Sequence, residues 1–92
     1  MTKIRPGKRS MTVYWKKQTK NVTGYQIQYA LNKKFTKKKK MITIKKNKTV
    51  KKKIKKLKGG KKYFVRIRTY RKKGKKTYYS KWSGVKTVKV KK

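Results

Sequence analysis

IKKLKGGKKYFVRIRTY, residues 54–70, is the stretch from which the fold class is read. In its second half Tyr63, Val65 and Ile67 alternate with Phe64, Arg66 and Arg68. A period of two in β-branched and aromatic residues predicts a half-buried strand, with Tyr63, Val65 and Ile67 inward and Phe64, Arg66, Arg68 and Tyr70 outward. Gly59-Gly60 breaks the chain just before this strand, so Ile54 and Leu57 belong to the preceding element and its turn.

The same alternation recurs on either side. Met11, Val13 and Trp15 alternate with Thr12 and Tyr14, and Tyr25, Ile27 and Tyr29 alternate with Gln26 and Gln28. Val88 and Val90 flank Lys89, and shorter strand candidates lie at Met41–Ile44 and Val50–Ile54. Turn signals separate these segments: Pro6-Gly7 breaks the first, Asn21 to Gly24 precedes Tyr25, Asn47 punctuates the middle, and Gly74 marks a loop of lysines. About seven short strands at this spacing predict an all-β, seven-stranded antiparallel sandwich. Its core is expected from Ile4, Met11, Val13, Trp15, Tyr25, Ile27, Tyr29, Ile44, Ile54, Leu57, Tyr63, Val65, Ile67, Val88 and Val90. Trp82 stands near a loop-to-strand junction, where it either caps the core or lies on the surface.

The chemistry is bounded by what is missing. The 92 residues hold 36 Lys and Arg but no Asp, Glu, His or Cys, for a formal charge of +36. Without Cys there is no disulfide or thiolate, and without His or carboxylates there is no ordinary zinc, calcium or magnesium site. No carboxylate pair or Ser-His-Asp arrangement exists either. The expectation is a protein that is not an enzyme and that uses no cofactor or metal. The length leaves room for one domain, residues 1–92.

A chain this charged is normally disordered. Here 33% of residues are hydrophobic and 12% aromatic, and they are regularly spaced, which predicts folding. The electrostatic penalty is large. A compact chain of this length has a radius of gyration of about 12 Å, hence a sphere of about 16 Å. Its charges repel with roughly 50 kcal/mol of gross energy at a Debye length of about 8 Å. The unfolded chain keeps much of this repulsion, but native stabilities are only about 5–15 kcal/mol. Stability is therefore expected to depend on salt or polyanions.

Several segments together resemble a fibronectin type III domain, which implies that the seven-stranded antiparallel sandwich is of the immunoglobulin-like kind. MTVYW at 11–15 is similar to that family's strand B with its core tryptophan, and GYQIQY at 24–29 to its strand C. Residues 54–70 are similar to its strand E, E–F turn and strand F, with Leu57 and Tyr63 matching the Leu…Tyr turn whose hydroxyl bonds back to backbone. The resemblance covers roughly residues 4–90, and with KWS at 81–83 it is closest in style to copies in secreted or wall-attached proteins of Gram-positive bacteria. Two departures stand out: Gly59 or Gly60 replaces the family's usual turn proline, and no acidic residue is present. Charged residues ordinarily divide between both signs, so zero carboxylates against 36 cations reflects selection or design. The resemblance implies a binding or spacer module, extracellular or cell-wall attached as part of a longer chain. No apolar leader of signal-peptide type is seen, and the longest aliphatic run, Met41 to Ile44, is too short to span a bilayer.

Three places stand out as candidate polyanion sites. On the outward face carrying Arg66 and Arg68, the resemblance implies that Gln26 and Gln28 lie alongside, because the family's strand F runs beside strand C; together these offer guanidinium, amide and aromatic groups able to stack bases or sugars. Arg71, Lys72, Lys73, Lys75 and Lys76 crowd one loop around Gly74, followed by Tyr78 and Tyr79. Lys37, Lys38, Lys39 and Lys40 form a second cationic run. The function expected is electrostatic adhesion or spacing, with nucleic acid, sulfated glycan or teichoic acid as partner, and self-repulsion predicts a monomer. The alternative is an engineered supercharged domain, made to test folding at extreme charge or to bind nucleic acid or an anionic partner.

Overall fold

The alternating segments fold as eight β-strands in a computed structural model, which describes residues 3–18, 20–36 and 38–92. The strands are β1 (Lys3–Gly7), β2 (Ser10–Tyr14), β3 (Gly24–Ala30), β4 (Lys40–Ile44), β5 (Lys51–Ile54), β6 (Lys62–Lys73), β7 (Lys76–Tyr79) and β8 (Lys86–Lys89). One sheet has the order β1-β2-β5, and the other runs β4-β3-β6-β7, with β8 also pairing β6. All of these strand pairs are antiparallel. β7 and β8 lie one after the other along β6, from Lys73↔Lys76 through Tyr70↔Tyr79 and then from Val65↔Lys86 to Lys62↔Lys89. They are one sandwich strand interrupted at residues 80–85, which accounts for eight where seven were expected.

Pro6-Gly7 does not break the first segment. β1 continues through both residues to Gly7↔Ser10, and the turn falls on Lys8-Arg9, with Arg9 at φ 50°. β1 is an edge strand whose one ladder is with β2, a place where proline is tolerated. Its end is met on the other side by the chain end, where Lys91 N donates to Gly7 O at 3.1 Å and Arg9 N to Lys91 O at 2.8 Å.

Register sets the core. Ile4↔Val13 and Met11↔Ile54 put one inner face together, while Ile27↔Ile42, Ile27↔Ile67 and Tyr29↔Val65 build the facing one. Thirteen of the fifteen expected core residues are buried in one cluster, and Ile4 and Ile44 pack at its margin. The alternation did not flag Phe35, buried from a loop, or Tyr70, buried on the outer face. Tyr70 lies across Gly24: a Cβ there would collide with the Ile44 carbonyl oxygen and sit 2.9 Å from the Tyr70 hydroxyl. That close approach requires glycine at the start of β3.

The free edges are guarded by lysine. Lys52 pairs in register with fully buried Val13, which places it on the core-facing side of β5, yet it remains exposed. An inward charge on an edge strand discourages pairing with another chain.

Two tyrosines tie loops to the core. The Tyr25 hydroxyl accepts from Gln18 N at 2.8 Å and donates to Asn47 O at 2.7 Å. Lys58 N donates to the Tyr63 hydroxyl at 2.9 Å, closing the turn after β5 as the Leu57…Tyr63 resemblance implied. Tyr63→Phe removes the acceptor while keeping the buried ring. The expected loss is about 1 kcal/mol, or a thermal midpoint about 4–8 °C lower by circular dichroism. An unchanged midpoint would mean that water replaces the hydroxyl at Lys58 N without loss.

Candidate polyanion-binding surfaces

β3 and β6 place the first candidate. Register sets Gln26 against Arg68 and Gln28 against Arg66 on the outer face of the larger sheet. Each arginine Nε donates to its glutamine: Arg66 to Gln28 Oε1 at 2.7 Å and Arg68 to Gln26 Oε1 at 2.8 Å. These bonds fix the guanidinium planes, and aromatic rings then stack on them. Arg66 lies between Phe35, 4.2 Å from the ring centroid, and Trp82, at 4.5 Å. Arg68 lies between Trp82, at 4.3 Å, and Tyr79, at 4.0 Å. The result is a ladder in the order Phe35, Arg66, Trp82, Arg68, Tyr79. Burial first, and Arg68 second, push the Arg66 guanidinium below its usual proton affinity, but an arginine so held stays charged at physiological pH.

The interruption between β7 and β8 delivers Trp82. Ser80 N donates to Thr69 O at 3.0 Å and Ser83 N to Ile67 O at 2.8 Å. In return, Thr69 N donates to Ser80 Oγ at 2.9 Å and Ile67 N to Ser83 Oγ at 3.0 Å. Two serine hydroxyls thus take the place of ladder carbonyls opposite β6, and this holds the irregular segment against the sheet with Trp82 inside it. The half-buried Trp82 belongs to the outer face, not to the core.

This geometry corrects one expectation. Each guanidinium on which a base or sugar would stack already has two of the chain's own rings within 4.5 Å of its central carbon. Tyr70, expected on the same outward face, is buried. What Arg66 and Arg68 keep for an anion is their edges. The missed members, Phe35 and Tyr79, carried no alternation signal; the repeated serines flanking Lys81-Trp82 were the legible clue.

The second candidate is a projecting ribbon. β6 leaves β3 at Tyr70↔Gly24, so beyond that point it pairs only with β7. Gly74 turns the chain at φ 60°, with Lys75 beside it and Lys73↔Lys76 closing the hairpin. Glycine in the first central position of a two-residue loop suits a type II′ turn. Arg71, Lys72, Lys73, Lys75 and Lys76 are all exposed. The ribbon contributes to a long axis of 43 Å and a radius of gyration of 13.3 Å.

In the third candidate, Lys37 lies outside the described residues, while Lys38, Lys39 and Lys40 are exposed. Lys40 pairs with Tyr29 at the far end of β3 from Gly24. The second and third candidates therefore sit at opposite ends of β3, about 20 Å apart. The fold does not gather them into one pocket.

Rings supply the partners that carboxylates usually provide. Six cation–ring contacts occur among the described residues, where about one would be ordinary for this length. Besides the ladder, Lys3 lies over Tyr14 at 4.9 Å and Lys62 over Phe64 at 5.5 Å. Among the described residues no helix is long and apolar enough to cross a membrane.

The family model of the fibronectin type III domain matches residues 2–86. Among solved structures, the chain is similar to the FN1–FN3 domains of chicken CNTN1, with 22% identity and a TM-score of 0.74 over 98% of this chain and 30% of that one. It is also similar to a structure described as a myokine, with 21% identity and a TM-score of 0.75 over 98% and 92% of the two chains. The fn3 domain of human contactin 1 gives 18% identity and a TM-score of 0.76 over 99% and 76%. This chain thus spans 30% of the length of the chicken structure. Among curated proteins there is no match.

Proposed function

The chain belongs to the fibronectin type III family, and on that premise we propose that it is a non-catalytic, cationic adhesion or spacer module that holds polyanions by charge. The observation that carries this reading is 36 cations with no carboxylate to neutralise any of them. A phosphate or sulfate polymer exchanges its condensed counterions for these lysines. The ribbon Arg71–Lys76 and the run from Lys38 to Lys40 are the densest exposed contacts, and their separation suits a polymer rather than a small ion. Arg66 and Arg68 contribute through guanidinium edges. In this reading the module is a monomer within a longer secreted or wall-attached bacterial protein, and the polymer is nucleic acid, sulfated glycan or teichoic acid.

A second reading is favoured by lysine at so many exposed positions over an undisturbed core pattern. It is a supercharged domain made by design, for which charge itself is the purpose. Neighbouring coding sequence separates the two: a natural module sits beside a leader, a wall anchor or similar repeats.

Affinity across a NaCl series tests the mechanism, with duplex DNA, heparin and teichoic acid of matched charge density as probes. All three are expected to bind, with log K falling linearly in log salt, by about 0.9 per phosphate neutralised on DNA. Replacing Lys72, Lys73, Lys75 and Lys76 by Gln should flatten the DNA slope by about 2–4. Absence of binding at low salt would overturn the reading. Binding to one polymer that persists in high salt would replace it with a shaped, selective site.

A further inference from the structure

A cavity of about 380 Å³ opens at the seam between the two sheets, where the start of β4 faces the turn after β5. Small-molecule pockets begin at about this size. Its floor is formed by the outer margins of side chains anchored in the core. Tyr29, Leu57 and Tyr63 belong to the core cluster, and Leu31 packs against it. The Tyr29 and Tyr63 rings are tilted at 59° with centroids 6.1 Å apart.

The rim is entirely cationic. Lys38 and Lys40 enter from one side, and Lys55, Lys56 and Lys58 from the other; all five are exposed. By comparison, the cavity beside Tyr70 and Tyr79 has two lysines, Lys45 and Lys72. Two of the five rim residues have left-handed backbone, Lys38 at φ 52° and Lys56 at φ 61°. Glycine adopts that conformation without steric penalty, whereas a side chain does not. Strained non-glycine positions of this kind collect at ligand clamps. Burial and the neighbouring Tyr63 push the Tyr29 hydroxyl above its ordinary proton affinity, so it remains a neutral donor at the floor.

We propose that this seam binds a small organic anion with an apolar ring, its ring on Tyr29, Leu57 and Tyr63 and its charged group among the five lysines. This goes beyond the polymer reading, with which the rim shares Lys38 and Lys40. Inorganic phosphate would satisfy the rim and leave the floor wet. A neutral ring would cover the floor and leave the ammonium groups unpaired. Only a ligand carrying both features, such as an aryl phosphate, aryl sulfate or aryl carboxylate, satisfies both halves.

The test uses 1-naphthyl phosphate, inorganic phosphate and 1-naphthol, titrated into isotopically labelled protein at about 0.3 M NaCl to shorten the range of the general field. Naphthyl phosphate is expected to bind at least about tenfold more tightly than either fragment, with nuclear Overhauser contacts to the Tyr29 and Tyr63 rings. Changing Lys38, Lys55 and Lys56 together to Gln should weaken it by about tenfold. The same change at Lys73, Lys75 and Lys76, with equal loss of charge, should weaken it by less than about threefold. All six positions are exposed, so neither variant disturbs the core. Equal weakening in both variants, equal binding of inorganic phosphate, or contacts to other rings would overturn the proposal. DNA affinity measured on the unaltered protein reads the polymer function separately: a protein that holds DNA but not naphthyl phosphate loses this inference and keeps that one.

Discussion

Trp82→Ala is expected to lower the thermal midpoint by about 10–25 °C, as a loss of about 2–4 kcal/mol does in a chain of this size. One ring makes two contacts, with Arg66 at 4.5 Å and Arg68 at 4.3 Å. Each partly desolvated contact of this kind contributes about 0.5–2 kcal/mol. The substitution also removes the body that separates two like charges on one sheet face. Arg66 and Arg68 are next-but-one neighbours on β6, so their guanidinium groups face each other directly once the ring is gone. No carboxylate exists to take its place. Trp82→Phe keeps a π face between the arginines and should recover a good part of the loss, whereas Trp82→Leu keeps bulk alone and should not. A drop below about 5 °C for the alanine variant, scanned by circular dichroism at fixed salt, would mean that the ladder adds little to stability.

That ladder marks where sequence reading stops. Alternation located β2, β3, β6 and β8, and shorter apolar runs located β4 and β5, because a strand buried on one face must repeat its apolar residues every second position. It placed Val13, Ile27, Val65 and Ile67 correctly for the same reason. It did not mark β1, where Pro6-Gly7 signals a break, or β7, which follows the lysine loop at Gly74. It could not place Phe35, which reaches Arg66 from a loop at φ 56°, since a loop residue has no period to betray it. Nor did it show that Pro6 lies inside an edge strand, because proline signals a break unless its strand has a free side. Residues 80–85 are the most informative failure. Their hydroxyls substitute for backbone groups, and this is visible only as two serines three apart around Lys81-Trp82.

The candidate site was legible in kind and less so in arrangement. Counting charges was enough to expect cationic clusters, and Arg71 to Lys76 is exposed as a hairpin tip. The family resemblance set Gln26 and Gln28 beside the arginine face, but which glutamine meets which arginine is settled only by the register. Whether those guanidinium faces stay open depended on Tyr79, Trp82 and Phe35, which arrive from three other segments. The seam lined by Lys38, Lys40, Lys55, Lys56 and Lys58 was invisible for a related reason: its two sides are joined only when the sheets stack.

Raising NaCl from about 20 mM to about 0.5 M is expected to lift the thermal midpoint by at least about 20 °C. The Debye length falls from about 20 Å to about 4 Å over that range, which removes more than half of the gross repulsion among the lysines and arginines. Most of that relief reaches the unfolded chain too, because runs such as Lys51 to Lys53 stay close whether or not β5 forms. If only a tenth of it is specific to the folded state, the gain is still about 5 kcal/mol, comparable to the whole stability of a small domain. A short DNA duplex should supply up to about half of the effect at low salt, since a ligand held a hundredfold above its Kd adds about 2.7 kcal/mol, less whatever the equally cationic unfolded chain gains by binding it. The two results are linked: the lysines that weaken the free fold are those that bind the polymer, so occupancy and stability rise together to the extent that the folded chain holds the polymer more tightly than the unfolded one. A midpoint that ignores both salt and DNA would break the link, by showing that the unfolded chain carries all the repulsion that the folded one does.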